Sequence, residues 1–162
     1  MNLKKIIRYL GIALGIFIFM YIGAYIISPG SYSQAQYYDL EIPENKIKER
    51  VANFKEYNPQ YRFMRKDTLG QLYEYKKNND HLYFYVEETG HLFCCIINGS
   101  REKGTTQIGL YSVFYDTEFR KGGRINQTFF DTEENKKLKK EFETQVLDKL
   151  AKWKGQKRLI FF

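Results

Sequence analysis

Cysteine, proline, histidine and tryptophan are all scarce in this chain of 162 residues, with two, three, two and one copies respectively. Two adjacent cysteines, Cys94 and Cys95, cannot build a disulfide-rich miniprotein, and a bond between neighbours needs strained geometry. Low proline and only 12 glycines exclude a collagen-like repeat. There is no low-complexity tract, and no period of about 20–50 residues that would mark a solenoid. Apolar residues make up 43%, which excludes a disordered tail. No C-x-x-C occurs. Gly99 to Thr105 has the spacing of a phosphate loop, but Thr105 stands where its lysine belongs, so the cradle is missing.

What is present is unevenly spread. Leu10 to Ile27 is a run of about 18 apolar, glycine and tyrosine residues, roughly 27 Å long as a helix and close to the ~30 Å of a bilayer core. Residues 9–27 therefore read as a transmembrane signal-anchor helix, and 1–8 as a basic cytoplasmic flank carrying Lys4, Lys5 and Arg8. The competing reading is a cleaved signal peptide, whose apolar region is shorter, with Ser33-Gln34-Ala35 as a weak cleavage site. Cations before the span and none between it and Lys46 place the N-terminus inside. The reading is a single-pass protein of the plasma (inner) membrane with a periplasmic or extracellular C-terminal domain. Gly11 and Gly15 form a GxxxG, but small residues are common in membrane helices, so a homo-oligomer is unsupported.

Residues 28–40 read as a tether, and 41–162 as one α+β domain. Pro43 with Ile47, Val51 and Phe54 predicts an amphipathic helix over 43–57, ended by Asn58-Pro59. From Leu69 the period changes to two. Strands are expected over 72–75, 81–87, 92–97 and 107–115, as an antiparallel meander. A three-residue turn at Glu88-Thr89-Gly90 would set Phe84 across from Cys94 and Tyr85 across from Phe93. Gly122-Gly123 suggests a further hairpin into a strand over 125–130. Asp131 and Glu134 resemble a capping box. The apolar stripe Leu138, Phe142, Val146 or Leu147, Leu150 and Trp153 predicts a helix over 132–154, stopped by Gly155, with a last strand over 157–162. The architecture expected is a mostly antiparallel four- to six-stranded sheet packed against two helices.

Few constellations carry chemistry. His81 and His91 lie about 20 Å apart on neighbouring strands, so no metal or cofactor is expected. Cys94 and Cys95 point to opposite faces as apolar fillers. The pairs Glu87/Glu88 and Glu133/Glu134 suit a turn and a helix first turn, with nothing making them converge as an acid/base pair. Asn98-Gly99-Ser100 and Asn126-Gln127-Thr128 fit a glycosylation pattern that also arises by chance. Two surface features remain. Strand parity gathers Tyr73, Tyr75, Tyr83, Tyr85, Phe93, Tyr111 and Tyr115 on one face, against aliphatic Leu82, Phe84, Val86, Leu92, Cys94, Ile96, Leu110 and Phe114. The six tyrosines are the candidate protein-binding face, the alternative being that they pack beneath helix or loops. Lys149, Lys152, Lys154, Lys157 and Arg158 are a candidate contact for an anionic partner, or a solvated helix end.

The expected function is a non-catalytic, membrane-anchored envelope protein that binds another protein, as a subunit of a membrane-associated assembly or an anchored immunity-type inhibitor. Nucleic acid is not an expected partner of an outward-facing domain. The other readings are a small-ligand-binding sensor domain, which needs a pocket, and a weak envelope-polymer hydrolase, which needs converging Ser, His, Asp or Glu.

Overall fold

A computed structural model describes residues 11–12, 14–21, 34–78, 80–99, 102–126 and 132–155. The chain divides into two compact units, Met1–Ser33 and Gln34–Phe162. In the first, residues 11–12 and 14–21 are helical. The rest of the predicted 9–27 span lies outside the described residues, and among the described residues no helix is long and apolar enough to cross a membrane.

The second unit is α+β. Its elements are β1 (Gln36–Leu40), a 3-10 turn (Glu44–Lys46) leading into α1 (Ile47–Tyr57), a second 3-10 turn (Pro59–Tyr61), β2 (Met64–Lys66), β3 (Leu72–Glu74), β4 (His81–Val86), β5 (His91–Gly99), β6 (Thr106–Phe114) and β7 (Gly122–Arg124). There follow α2 (Thr132–Phe142), a π turn (Glu143–Leu147), α3 (Asp148–Leu150) and β8 (Trp153–Gly155). The main sheet is six-stranded in the order β4-β5-β6-β1-β8, with β7 also on β6; β2 and β3 form a separate two-stranded sheet. Each pairing is antiparallel.

Both helical segments cover one face. Ile47, Val51 and Phe54 of α1 and Leu138, Phe142, Val146, Leu147 and Leu150 of the later run pack on Tyr38, Leu40, Phe84, Val86, Phe93, Cys95, Ile108, Leu110 and Val113. The 3.6-residue spacing of those apolar positions is why both segments are helical, since it gives each a single stripe to bury.

Several expectations change. Residues 36–40 belong to the sheet rather than to the predicted tether: Tyr38 and Leu40 are fully buried, and β1 lies between β6 and β8. The last helix ends at Leu150, not near Gly155. Ala151 is extended (φ −168°, ψ 172°), and Trp153 pairs with Leu40 while its ring meets Tyr38 edge-on at 5.3 Å. Trp153 fits a helical stripe, but a strand half-buries the same ring against the core. The predicted 72–75 strand pairs with β2, which the period did not reveal, rather than with β4. Of the strand expected over 125–130, Ile125 and Asn126 form a turn and the rest lies outside the described residues, as do Asp131 and the 157–162 strand.

The β4–β5 turn contains four residues rather than three. Val86 faces His91, and the Gly90 N–H donates to the Val86 carbonyl at 2.9 Å, with Gly90 at φ 72°. This one-residue slip sets Phe84 across from Phe93, Tyr85 from Leu92 and Tyr83 from Cys94. It moves Phe93 to the helix side and Leu92 and Cys94 to the tyrosine side. A bulge between Cys94 and Cys95, opposite Tyr111, then shifts the parity of β6, so Leu110 and Val113 both face the helices.

Candidate functional site

The face away from the helices carries a smaller aromatic cluster. Phe63 (1% exposed) is at its centre, with Tyr75, Tyr83 and Phe119 rings at 5.6, 6.2 and 5.5 Å. Leu92 and Cys94 form its floor, and Tyr85, Tyr111 and Phe114 pack around it. Burial pushes the Cys94 thiol up to about 12, and that of Cys95, in the other core, well above its ordinary value. Both are therefore protonated fillers on opposite faces, and both are free.

Two excursions of the chain supply the cover. Past the Asn58-Pro59 break, Tyr61 stays in the helix-side core while Phe63 belongs to the second cluster, so the chain changes faces over those residues. The other excursion follows β6. The Asp116 carboxylate accepts the N–H groups of Glu118, Arg120 and Lys121 at 3.0, 3.0 and 2.7 Å, curling the loop so that Phe119 sits at φ 61°. Phe119 then meets Phe114 at 5.0 Å. The Arg65 guanidinium lies over Tyr75 and Phe119, at 5.2 and 5.7 Å from their centroids.

The β2–β3 hairpin is closed by Asp67, whose Oδ1 accepts the N–H groups of Leu69 and Gln71 at 2.8 and 2.9 Å, with Gly70 at φ 79°. Its apolar side chains are exposed on both faces: Met64 and Leu72 (40% and 65%) on one, Tyr73 (43%) beside Arg65 on the other, with Leu69 (81%) in the turn.

The predicted face is thus partly assembled. Tyr75, Tyr83, Tyr85 and Tyr111 come together, but Tyr83 is buried and the other three are half-buried. Tyr73 lies on the hairpin. Tyr115 is elsewhere: its ring meets His91 at 5.1 Å and its hydroxyl donates to Glu134 at 2.6 Å, a contact that, after burial, raises its pKa to about 12. In the basic segment, the Lys149 ammonium donates to the Tyr61 hydroxyl at 2.7 Å and Gln145 at 2.9 Å; Lys152 and Lys154 are exposed around β8. Lys157 and Arg158 lie outside the described residues.

A polar cluster does form on the helix side, where Glu141 accepts from Thr89 Oγ1 at 2.5 Å and faces His91 Nδ1 at 2.9 Å. In a nucleophile–base pair the hydroxyl bonds the imidazole, leaving the carboxylate to orient the ring. Here the hydroxyl bonds the carboxylate directly, so the group clamps the β4–β5 turn to α2. Among the described residues, no group of three or more His, Cys, Asp and Glu is placed to hold a metal ion.

A cleft of about 420 Å³ opens between α1, the end of β3 and the start of β4. Within it Lys55, 7% exposed, bonds Glu74 at 2.6 Å and lies 5.4 Å from the Phe84 centroid. Burial lowers its pKa, against the pull of Glu74. Sequence inspection missed this lysine, although positions 47, 51, 54 and 55 fall on one helical stripe, which would have marked it as buried.

No protein-family model matches the chain, and no curated protein or solved structure matches it.

Proposed function

We propose that this chain is a membrane-anchored, non-catalytic envelope protein whose α+β domain binds another protein through the β2–β3 hairpin and the half-buried tyrosines beside it. The carrying observation is a hairpin with exposed apolar side chains on both faces, Tyr73 on the strand face of the Arg65–Tyr75–Phe119 stack and Met64 and Leu72 on the other, with Leu69 at its tip. Such apolar exposure marks a contact surface, and Tyr, Met and Arg are the types enriched at interfaces. This reading narrows the tyrosine face to Tyr73, Tyr75, Tyr85 and Tyr111, since Tyr83 is interior. The anchor rests on the 9–27 hydropathy and on the described helical residues, whose large apolar side chains from Ile12 to Tyr21 are 49–79% exposed. An N-terminus in the cytoplasm and a domain outside it follow from Lys4, Lys5 and Arg8. Tethering would raise the effective concentration for a partner in the same membrane.

The test is cross-linking in intact membranes followed by recovery of the bound protein. Leu72→Ser with Tyr73→Ala should lower recovery about tenfold or more, as loss of interface anchors does, with thermal unfolding unchanged because both side chains are exposed. Unchanged recovery would overturn the reading.

A further inference from the structure

We propose that the cleft between α1, β3 and β4 binds a small organic anion, with its carboxylate or phosphate group held among Lys55, Arg62 and Lys76 and its apolar body against the half-buried Tyr75 and Leu82. This goes beyond the protein-binding reading and does not depend on it.

Volume comes first. The cleft, at about 420 Å³, falls within the roughly 300–1,000 Å³ usual for small-molecule sites. Charge comes second. Its lining carries four cations, Lys48, Lys55, Arg62 and Lys76, against two carboxylates, Glu56 and Glu74. Glu74 is engaged with Lys55. Lys76 and Arg62 both press on the Lys55 ammonium, adding to the burial that disfavours its charge. A surplus of positive charge around a mostly desolvated lysine is relieved by an incoming anion, and the attraction is strengthened where water is excluded.

Geometry comes third. Arg62 Nε donates to the Lys55 carbonyl at 3.0 Å, which fixes the guanidinium at the end of α1, where cations are favoured and where a planar fork suits a carboxylate or phosphate. A bare ion would not use the apolar part of the lining, where the half-buried Tyr75 and Leu82 lie, Tyr75 held edge-on against the buried Tyr83 at 5.1 Å. These surfaces fit an aromatic or aliphatic body.

The test uses the full chain in neutral detergent micelles, titrated at constant ionic strength with phenyl phosphate, benzoate and inorganic phosphate while backbone amide NMR shifts are followed. At least one aromatic anion should saturate a single site with shifts centred on Lys55, Arg62, Tyr75 and Lys76. Which of the two binds more tightly distinguishes phosphate from carboxylate. Inorganic phosphate should bind at least about tenfold more weakly. Lys76→Gln, at an exposed position, should weaken the better probe about five- to tenfold without altering thermal unfolding. Lys55→Met should abolish binding, and the Lys76 variant keeps the test decisive if that protein fails to fold. Failure of both aromatic probes to saturate by on the order of 10 mM, equal affinity in the Lys76→Gln protein, or binding of inorganic phosphate as tight as that of phenyl phosphate would each overturn the proposal.

Discussion

On one face of the sheet, two helical segments set Ile47, Val51, Phe54, Leu138, Phe142, Val146, Leu147 and Leu150 against strand residues, most of them with no exposure at all. On the other, a far smaller cluster is covered by residues from short excursions, chiefly Phe63 and Phe119, with half-buried tyrosines at its margin. A helix presents a whole stripe once it forms, whereas a loop presents one side chain at the end of a chain of local hydrogen bonds. The first face should therefore set global stability, and the second should open locally at lower cost. Both surfaces offered here for binding, the hairpin and the cleft, adjoin the second face.

The largest effect should separate the faces. Phe142→Ala removes a fully buried ring that meets Phe93 at 5.3 Å and Phe84 at 6.2 Å, and should cost about 3–5 kcal/mol in urea unfolding. Phe63→Ala removes a ring just as buried, but its short covering segments can collapse into the space. About 2 kcal/mol is expected, with faster amide exchange confined to residues 62–77 and 116–121. Equal costs would break the comparison.

A smaller effect is expected at β7. A Cβ on Gly122 would lie 2.4 Å from the Val113 carbonyl oxygen and 2.7 Å from Phe114 Cδ1, so Gly122→Ala must push β7 away from β6 at a cost of about 1–3 kcal/mol. Because residues 115–121 hang between those strands, the Phe119 cover should loosen with it, read as extra amide exchange across that loop. Gly123, with nothing within 4 Å of its Cβ position, is the control, and Gly123→Ala should lie within about 0.5 kcal/mol of the parent. Matching losses in the two variants would remove close packing as the cause.

The same contrast explains what could be read in advance. The helix-covered face was legible because period 3.6 at Ile47, Val51 and Phe54, and again at Leu138, Phe142 and Val146, states both the element and the side it buries. The gathering of Tyr75, Tyr83, Tyr85 and Tyr111 was legible from alternation. Register was not: a fourth turn residue reversed the sides of Leu92, Phe93 and Cys94, and the bulge at Tyr111 reversed parity again. Nor does alternation reveal a cover. Phe119 arrives through an Asp116 loop and a left-handed backbone, and Phe63 through a change of face after a helix break. β1 escaped notice because five residues with two inward side chains resemble a linker until the β6 and β8 partners are known.

Acid provides the mildest perturbation. His81 is 8% exposed, stacked on Tyr83 at 6.5 Å, with Nδ1 3.1 Å from the Tyr111 hydroxyl. Burial and then Lys77 lower its pKa from 6.5, and Asp80 opposes them; Lys48 and Lys76 line the adjoining cleft with Glu74 and Glu56. A depressed histidine holds fewer protons folded than unfolded, so its contribution is whole above pH 6.5 and is lost as pH falls through the lowered value. On the helix side His91 Nδ1 lies 2.9 Å from Glu141, in the clamp that holds the β4–β5 turn to α2. From pH 7 to 5, amide protection should therefore fall at residues 81–83 and around Phe63 and Tyr75 while holding around Phe142, and His81→Gln should flatten that response. A loss of protection as large in α2 as in β4 would mean that acid acts on the whole domain, and that the two faces do not open independently.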